Sequence, residues 1–249
     1  MTLPTDAEKA GYVRSMFGRI VGRYDLLNDL MTAGQHRHWK RLAARAAVPQ
    51  GALALDLGCG TGDLTRALSR QGARLVAGAD FVPEMLVSAR QQAAAQGVAG
   101  VAFIVADALC LPFVDATFDR VTSGFLVRNV ADPEAAFREM RRVLKPGGLV
   151  VCLEASRRDD RLGRALRVGF GVLARGLGRL VAGDAAAYAY LPDSAAAFAR
   201  PAELAATMER AGFMDVRYRR LGLGMIAIHR GSKPGGVASG GVAPSAGAA

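Results

Sequence analysis

Three closely spaced glycines and a series of carboxylates are the first residues whose types could do chemistry. The run "LDLGCGTGDL" sets Gly58, Gly60 and Gly62 between an apolar stretch and an amphipathic one. Glycines at such a junction let backbone approach a ligand closely. Asp56, Asp63, Asp80 and Asp107 recur at or near the ends of successive apolar runs. Arg128 and Asn129 follow another such run. Ahead of all of them, "GRYDLLNDLMTAGQHRHWKR" packs Tyr24, Asp25, Asn28, His36, His38 and Trp39 among cations.

The spacing narrows the ligand. G-x-G-x-G is not the G-x-G-x-x-G of a dinucleotide fingerprint, and no Lys-Ser/Thr follows as in a P-loop. Four carboxylates at one crevice would repel a pyrophosphate and favour a ligand with positive charge and free hydroxyls. S-adenosylmethionine has a sulfonium, an ammonium and a ribose diol. Asp80 stands where it can accept from the two ribose hydroxyls, and Asp107 where it can take the adenine amino group. Asp63 has a plainer reading as an acid at a helix start, and Asp107 as a turn cap.

The elements that must position these groups alternate. Strands are expected at "ALALDLG", "RLVAGAD", "VAFIVAD", "FDRVTSG" and "LVVCLEAS", the last entered by a turn at "KPGG". Helices are expected at "GDLTRALSRQG", at "PEMLVSARQQAAAQG" with Pro83 in its first turn, and at "DPEAAFREMRRVL" with Asp132 as N-cap. Alternation at this spacing means a parallel sheet covered on both faces, a three-layer doubly wound α/β fold. The rhythm breaks over 157–200. A helix at "PAELAATMERAGF" and strands at "DVRYRRLG" and "MIAIHR" follow, and 231–249 has too little to bury to order itself. We expect a helical cap over 1–50, a ligand-binding domain over 51–230 with a helical insert at 157–200, and a disordered tail over 231–249.

The 249 residues carry a net charge of +10, and its location is informative. Segments 12–45 and 157–182 are each +5, while 46–156 is −1. Such fields attract anionic lipid, nucleic acid or an anionic substrate, unless they are simply solvated faces. Cys59, Cys110 and Cys152 form no C-x-x-C pair, which argues against zinc or a disulfide framework and fits a reducing compartment. The first dozen residues lack the apolar core of a secretory signal, and no apolar run is long enough to span a bilayer.

Together, "LDLGCGTGDL", "GADFVPEML", "VADALCLPF", "FDRVTSGF" and "LKPGG" resemble a class I S-adenosylmethionine-dependent methyltransferase. The lead-in "MFGRIVGRYDLLNDLMTAGQHRHWK" resembles the N-terminal signature of the ubiquinone/menaquinone C-methyltransferase family. The likeness resumes at "RNV", "DAAAYAYLPDSAAAF", "ERAGFMDVRYRRL" and "IAIHRG" and covers about residues 10–233. The resemblance implies about seven strands, mostly parallel with one antiparallel strand near the C-terminus. It implies methylation of a ring carbon in a polyprenyl naphthoquinol or benzoquinol. The rival reading is a soluble O- or N-methyltransferase of the same fold. Carried onto matching positions, it assigns the donor to Asp56, Gly58, Gly60, Thr61, Gly62, Asp80, Phe81, Met85, Asp107, Ala108 and Gly124. It assigns the reaction to Arg128, Asn129, Tyr24 and His36, with no metal. Two departures fall in the pocket: Gly124 replaces a family Ser, and 183–189 lacks several polar family residues.

A bilayer-resident substrate needs an enzyme that visits the membrane surface. On a helical wheel of 157–181 the arginines fall in one sector and the large apolar residues in a neighbouring one, as in an interfacial helix. Its glycines predict two short helices with a break near Gly169–Gly171. The expected partners are therefore the quinol and anionic lipid, not nucleic acid, with room for a homodimer. The expected place is the cytoplasm, with peripheral association at the inner face of the membrane. A quinol hydroxyl has a pKa of roughly 10, like tyrosine, and its anion puts charge on the adjacent carbon. Arg128 is cast as the cation that holds that anion, Asn129 as a hydrogen-bond partner of the other ring oxygen, Tyr24 with Asp25 and Asn28 as closing the cleft from the N-terminal side, and His36 as a candidate base.

Overall fold

The computed structural model describes residues 6–177, 190, 193–195 and 198–235. The alternating runs close into one seven-stranded sheet of order β3-β2-β1-β4-β5-β7-β6. The strands are β1 (Leu53–Leu57), β2 (Leu75–Asp80), β3 (Val101–Val105), β4 (Phe118–Gly124), β5 (Leu144–Ala155), β6 (Met214–Leu221) and β7 (Ile226–Ser232). All run parallel except β7, which pairs antiparallel with both β5 and β6. The sheet is thus the expected one, with its single reversed strand near the C-terminus. Buried on both faces, the central strands read as near-continuous apolar runs.

Helices α1 (Asp6–Thr32) and α2 (Gln35–Ala46) precede the sheet. Then come α3 (Asp63–Arg70), α4 (Pro83–Ala95), α5 (Pro133–Val143), α6 (Arg161–Leu177) and α7 (Pro201–Arg210). One core packs Phe137 and Met140 of α5 and Met208 of α7 on Leu55, Leu57 and Val121. The other packs Ala43 and Ala44 of α2 and Leu68 of α3 on Val76, Val151 and Ile228. A third cluster joins Met16, Ile20 and Leu27 of α1 to Met85 of α4 and Ala174 of α6. Asp132 caps α5 as expected, its Oδ1 accepting from the Ala135 amide at 2.9 Å.

The lead-in, expected to be helical, is one 27-residue helix and a second helix, divided where Ala33 and Gly34 take φ values of 46° and 72°. Other expectations fail for packing reasons. "KPGG" lies inside β5, held by a hydrogen bond from the Gly147 amide to the Lys233 carbonyl at 3.0 Å. Gly231 and Ser232 belong to β7, so the ordered chain passes the expected boundary at 231. Residues 236–249 lie outside the described residues. Helix α6 runs through Gly169–Gly171 without a break. A Cβ at buried Gly163 would come 2.3 Å from the Arg158 carbonyl oxygen, so glycine there lets the start of α6 fold against the residues before it. Packing of Phe170 and Ala174 against α1 outweighs low helix propensity. Arg157 and Arg158 precede α6 and pair with Asp159 and Asp160, so they are not part of its charged face.

Candidate active site

In the strand order, β1 is flanked by β2 on one side and β4 on the other, so connections diverge there and leave a crevice at the carboxyl ends. A cleft of about 900 Å³, open mouth included, occupies it. Its floor is the glycine turn. Gly58 and Gly60 have φ of 68° and 54°, and a Cβ on Gly58 would meet the Leu126 side chain at 2.8 Å. The second strand delivers Asp80. Its Oδ2 accepts from the Gly60 amide at 2.7 Å and its Oδ1 from the Val82 amide at 2.9 Å. Burial pushes the Asp80 carboxyl above its ordinary range, against the pull of those amides. Phe81 and Met85 supply an apolar wall, and Asp107, Ala108 and Leu109 close the far end. The Leu109 amide donates to Asp107 Oδ1 at 2.9 Å, so Asp107 also ties its own turn.

The other half of the cleft is apolar and helical. Ala10, Val13, Phe17 and Tyr24 of α1 roof it, and Gly124, Phe125, Leu126, Asn129, Val130 and Ala131 form the facing wall. Contacts at both ends pin the roof down. Lys9 Nζ donates to the Val130 carbonyl at 2.8 Å. Asp25 accepts from the Thr61 hydroxyl and from Gln92 Nε2, each at 2.7 Å. The Tyr24 ring edge lies 4.0 Å from where a Cβ on Gly60 would stand.

Of the predicted site residues, Gly58, Gly60, Asp80, Phe81, Met85, Asp107, Ala108, Gly124, Tyr24 and Asn129 meet at this cleft. Five do not line it. Asp56 is fully buried on the opposite face of β1, accepting from the hydroxyls of Thr65 at 2.7 Å and Thr122 at 3.0 Å. Burial raises its carboxyl to about 6 despite those bonds. Strand alternation gives the reason, since Leu55 and Leu57 take the other face. Thr61 turns to Asp25, and Gly62 faces Ala89 and Phe103. Asp63, the fourth expected acid, turns to Lys40 and Arg66, at 3.0 and 2.6 Å. Although burial opposes ionisation, those cations hold it down at about 2. The crevice therefore presents two carboxylates, Asp80 and Asp107, rather than four.

His36 is buried where α2 begins. Its Nε2 is 2.8 Å from Asp29 Oδ1, and burial together with Lys40 lowers its pKa. It ties α1 to α2 and does not reach the cleft. The Arg128 guanidinium pairs with the fully buried Glu154, whose Oε2 also accepts from the Arg128 amide at 3.3 Å. The guanidinium stacks over Phe125, 5.4 Å from the ring centre, and its Nε is buried without a partner. Arg128 thus stands behind the wall. Asn129 Nδ2 donates to the Phe125 carbonyl at 3.1 Å, and its Oδ1 accepts from the Tyr190 hydroxyl at 3.2 Å.

Sequence reasoning missed the apolar roof and Glu154, whereas Asp25, expected with Tyr24 and Asn28 to close the cleft from the N-terminal side, is the residue that latches α1 to Thr61 and Gln92. The period-3.6 stripe of Val13, Phe17 and Tyr24 was the one available signal for the roof. Trp39, read as a core residue, is partly buried against the α2–α3 core. Residues 183–189 lie outside the described residues. The three cysteines are free, and no group of His, Cys, Asp and Glu suited to a metal occurs among the described residues.

Known structures share this frame. A S-adenosylmethionine-dependent methyltransferase of Thermotoga maritima, described as a possible histamine N-methyltransferase, superposes with a TM-score of 0.64 at 23% identity, covering 88% of this chain and 99% of that one. The YcgJ protein of Bacillus subtilis gives 0.59 at 19% identity, over 80% and 99%. Likeness at such identity defines the class I methyltransferase fold. The ubiE/COQ5 methyltransferase family model matches residues 5–233, and the chain belongs to that family. The demethylmenaquinone methyltransferase of Roseiflexus castenholzii is 44% identical over 243 residues, 94% of this chain and 98% of the relative. That of Thermus thermophilus is 46% identical over 223 residues, 88% and 100%. The ubiquinone/menaquinone biosynthesis C-methyltransferase UbiE of Methylococcus capsulatus is 43% identical over 238 residues, 93% and 95%. The protein is a S-adenosylmethionine-dependent methyltransferase.

Proposed function

We propose that the enzyme methylates a ring carbon of a prenylated quinol, a demethylmenaquinol or the corresponding benzoquinol. One observation carries this reading beyond family membership: the carboxylate-bearing half of the cleft continues into an apolar half roofed by Ala10, Val13 and Phe17. The first suits a cationic donor with a ribose, the second a ring with a hydrocarbon tail.

When bound, S-adenosylmethionine supplies an electrophilic methyl group on a sulfonium. Gly58 and Gly60 leave room for it at the turn, and Asp80 keeps lone pairs for the two ribose hydroxyls beyond those used by the backbone. Phe81, Met85, Asp107 and Ala108, which line the same end of the cleft, would hold the adenine. Asn129 spends one Nδ2 hydrogen on Phe125 and keeps the other for a quinol oxygen. The Arg128 guanidinium favours the quinol anion from behind Phe125, tempered by Glu154. Tyr24 and the α1 roof exclude water, which favours a step in which a cation and an anion cancel.

Access to a bilayer-resident quinol falls to α6. Among the described residues no helix is long and apolar enough to cross a membrane. The outer side of α6 exposes Leu162, Val168, Val172 and Leu173 with Arg161 and Arg164 alongside. Such a face suits shallow insertion among anionic headgroups. The deciding experiment incubates the protein with isotopically labelled donor and each reduced quinone. Label on a ring carbon of either supports the reading, whereas label only on the oxygen or nitrogen of an unrelated acceptor overturns it.

A further inference from the structure

The molecule has a second concave site, away from the cleft, between α2 and the edge of the sheet. It is a groove of about 830 Å³, open mouth included, and it is lined by Arg45, Arg217, Arg219 and Arg230. Leu42 and Ile228 give it an apolar floor.

The pairing of β6 with β7 explains the convergence. Arg217 lies opposite Arg230, and Arg219 opposite Ile228, so all four share one face of the ribbon. Ile228 belongs to the core beneath α2, which identifies this face as the one α2 covers and brings Arg45 to the groove. Like charges directly opposite on antiparallel strands repel. Elsewhere arginines are neutralised locally: Arg138 by Glu134 at 2.6 Å, Arg142 by Glu139 at 2.7 Å and Arg210 by Glu134 at 2.9 Å. The four groove arginines have no carboxylate within salt-bridge distance among the described residues, and no acid lines the groove. Charge on an edge strand also guards it against pairing with another chain. A guard needs no helix-borne arginine and no concavity, and β6 already carries Arg220 on its other face.

We infer that this groove is a binding site for a phosphate-bearing anion, held by forked guanidinium–phosphate hydrogen bonds over an apolar floor. A phospholipid headgroup and a free phosphate share that chemistry. None of the four arginines belongs to the methyl-transfer cleft, so the inference does not rest on the quinol reading.

Calorimetry on the full chain tests it with two probes, inorganic phosphate and a short-chain, water-soluble phosphatidylglycerol. Saturable binding of either supports the site. Equal affinities identify free phosphate as the ligand, and a clear preference for phosphatidylglycerol identifies the headgroup. The Arg217→Gln/Arg230→Gln double variant, exposed and outside the machinery, should weaken binding by about tenfold or more while leaving methyl transfer unchanged and the melting temperature at or slightly above the parent's, since a repelling pair is removed. Arg138→Gln, on a neutralised arginine, should leave affinity as it is. The inference is overturned if neither probe binds or if the double variant binds as well as the parent. It is also overturned if a duplex oligonucleotide binds more tightly than both probes and loses that binding in the double variant, which would make the groove a nucleic-acid surface.

Discussion

The two halves of the cleft are built in different ways. The half proposed for the donor comes from strand ends and a glycine turn, and its groups are fixed by backbone: Asp80 is held by the amides of Gly60 and Val82. The half proposed for the acceptor comes from a helix laid over the sheet and a wall whose polar groups also take partners distant in sequence. Asn129 is set by Tyr190, and Arg128 by Glu154. A local backbone motif can be carried between enzymes with different substrates. The roof is held at its two ends by Lys9 and Asp25, and through Thr61 the second of these ties it to the glycine turn.

Substitutions should separate the halves. The largest effect is expected at Arg128→Ala, which leaves the carboxylate of Glu154 buried and unpaired. Removing one partner of a buried pair costs about 3–5 kcal/mol, so chemical denaturation should report a loss of that order, with turnover falling and the donor affinity of the remaining folded protein nearly unchanged. Equal loss of donor affinity would place Arg128 in the donor half. Asp80→Ala is the counterpart. It should weaken donor binding about a hundredfold, as expected for losing hydrogen bonds to a charged group, and calorimetry reads it directly.

Asp56, buried on the other face of β1, gives a pH signature. Its folded carboxyl titrates at about 6, above the ordinary 3.8, because it is buried. Its proton is therefore bound more tightly in the folded state. The stability this confers is full below pH 4 and is lost as pH rises from about 4 to 6. The loss from this group is at most about 3 kcal/mol. Asp56→Asn cannot titrate, so the difference in unfolding free energy between variant and parent should shift by that order across this window and then level off. A difference that stays flat would mean that Asp56 is ionised in the fold.

The smallest effect is expected at Gly124→Ser. A Cβ there would approach only Leu64 Cδ2, at 3.4 Å, an ordinary contact. Donor affinity should change by less than about threefold. A large change in either direction would show that this wall touches the donor closely.

How much the sequence disclosed follows the same division. The strand "FDRVTSG" is β4 to the residue, and Asp80, Gly58 and Gly60 stand where the alternating pattern and the glycine spacing put them. These are local features, set by period and turn chemistry. Asp56 was misplaced although alternation alone would have put it opposite Leu57. Asp63 was misplaced because Lys40, 23 residues earlier, turns it away. Pairing of Arg128 with Glu154 spans 26 residues and two strands, so no spacing rule discloses it. His36 has the residue type of a base, but folding binds it to Asp29 at the α1–α2 joint. The predicted break in α6 rested on propensity, which its packing on α1 overrides.

The central claim is that donor and acceptor are held by separable halves of one cleft. A crossed measurement tests it most directly: calorimetric donor affinity and single-turnover methyl transfer to demethylmenaquinol, each on Asp80→Asn and on Asn129→Ala. The account predicts that Asp80→Asn loses donor affinity but recovers most of its transfer rate at saturating donor. It predicts that Asn129→Ala binds donor like the parent yet transfers about ten- to a hundredfold more slowly. Two variants that lost donor affinity and transfer rate in the same proportion would contradict it.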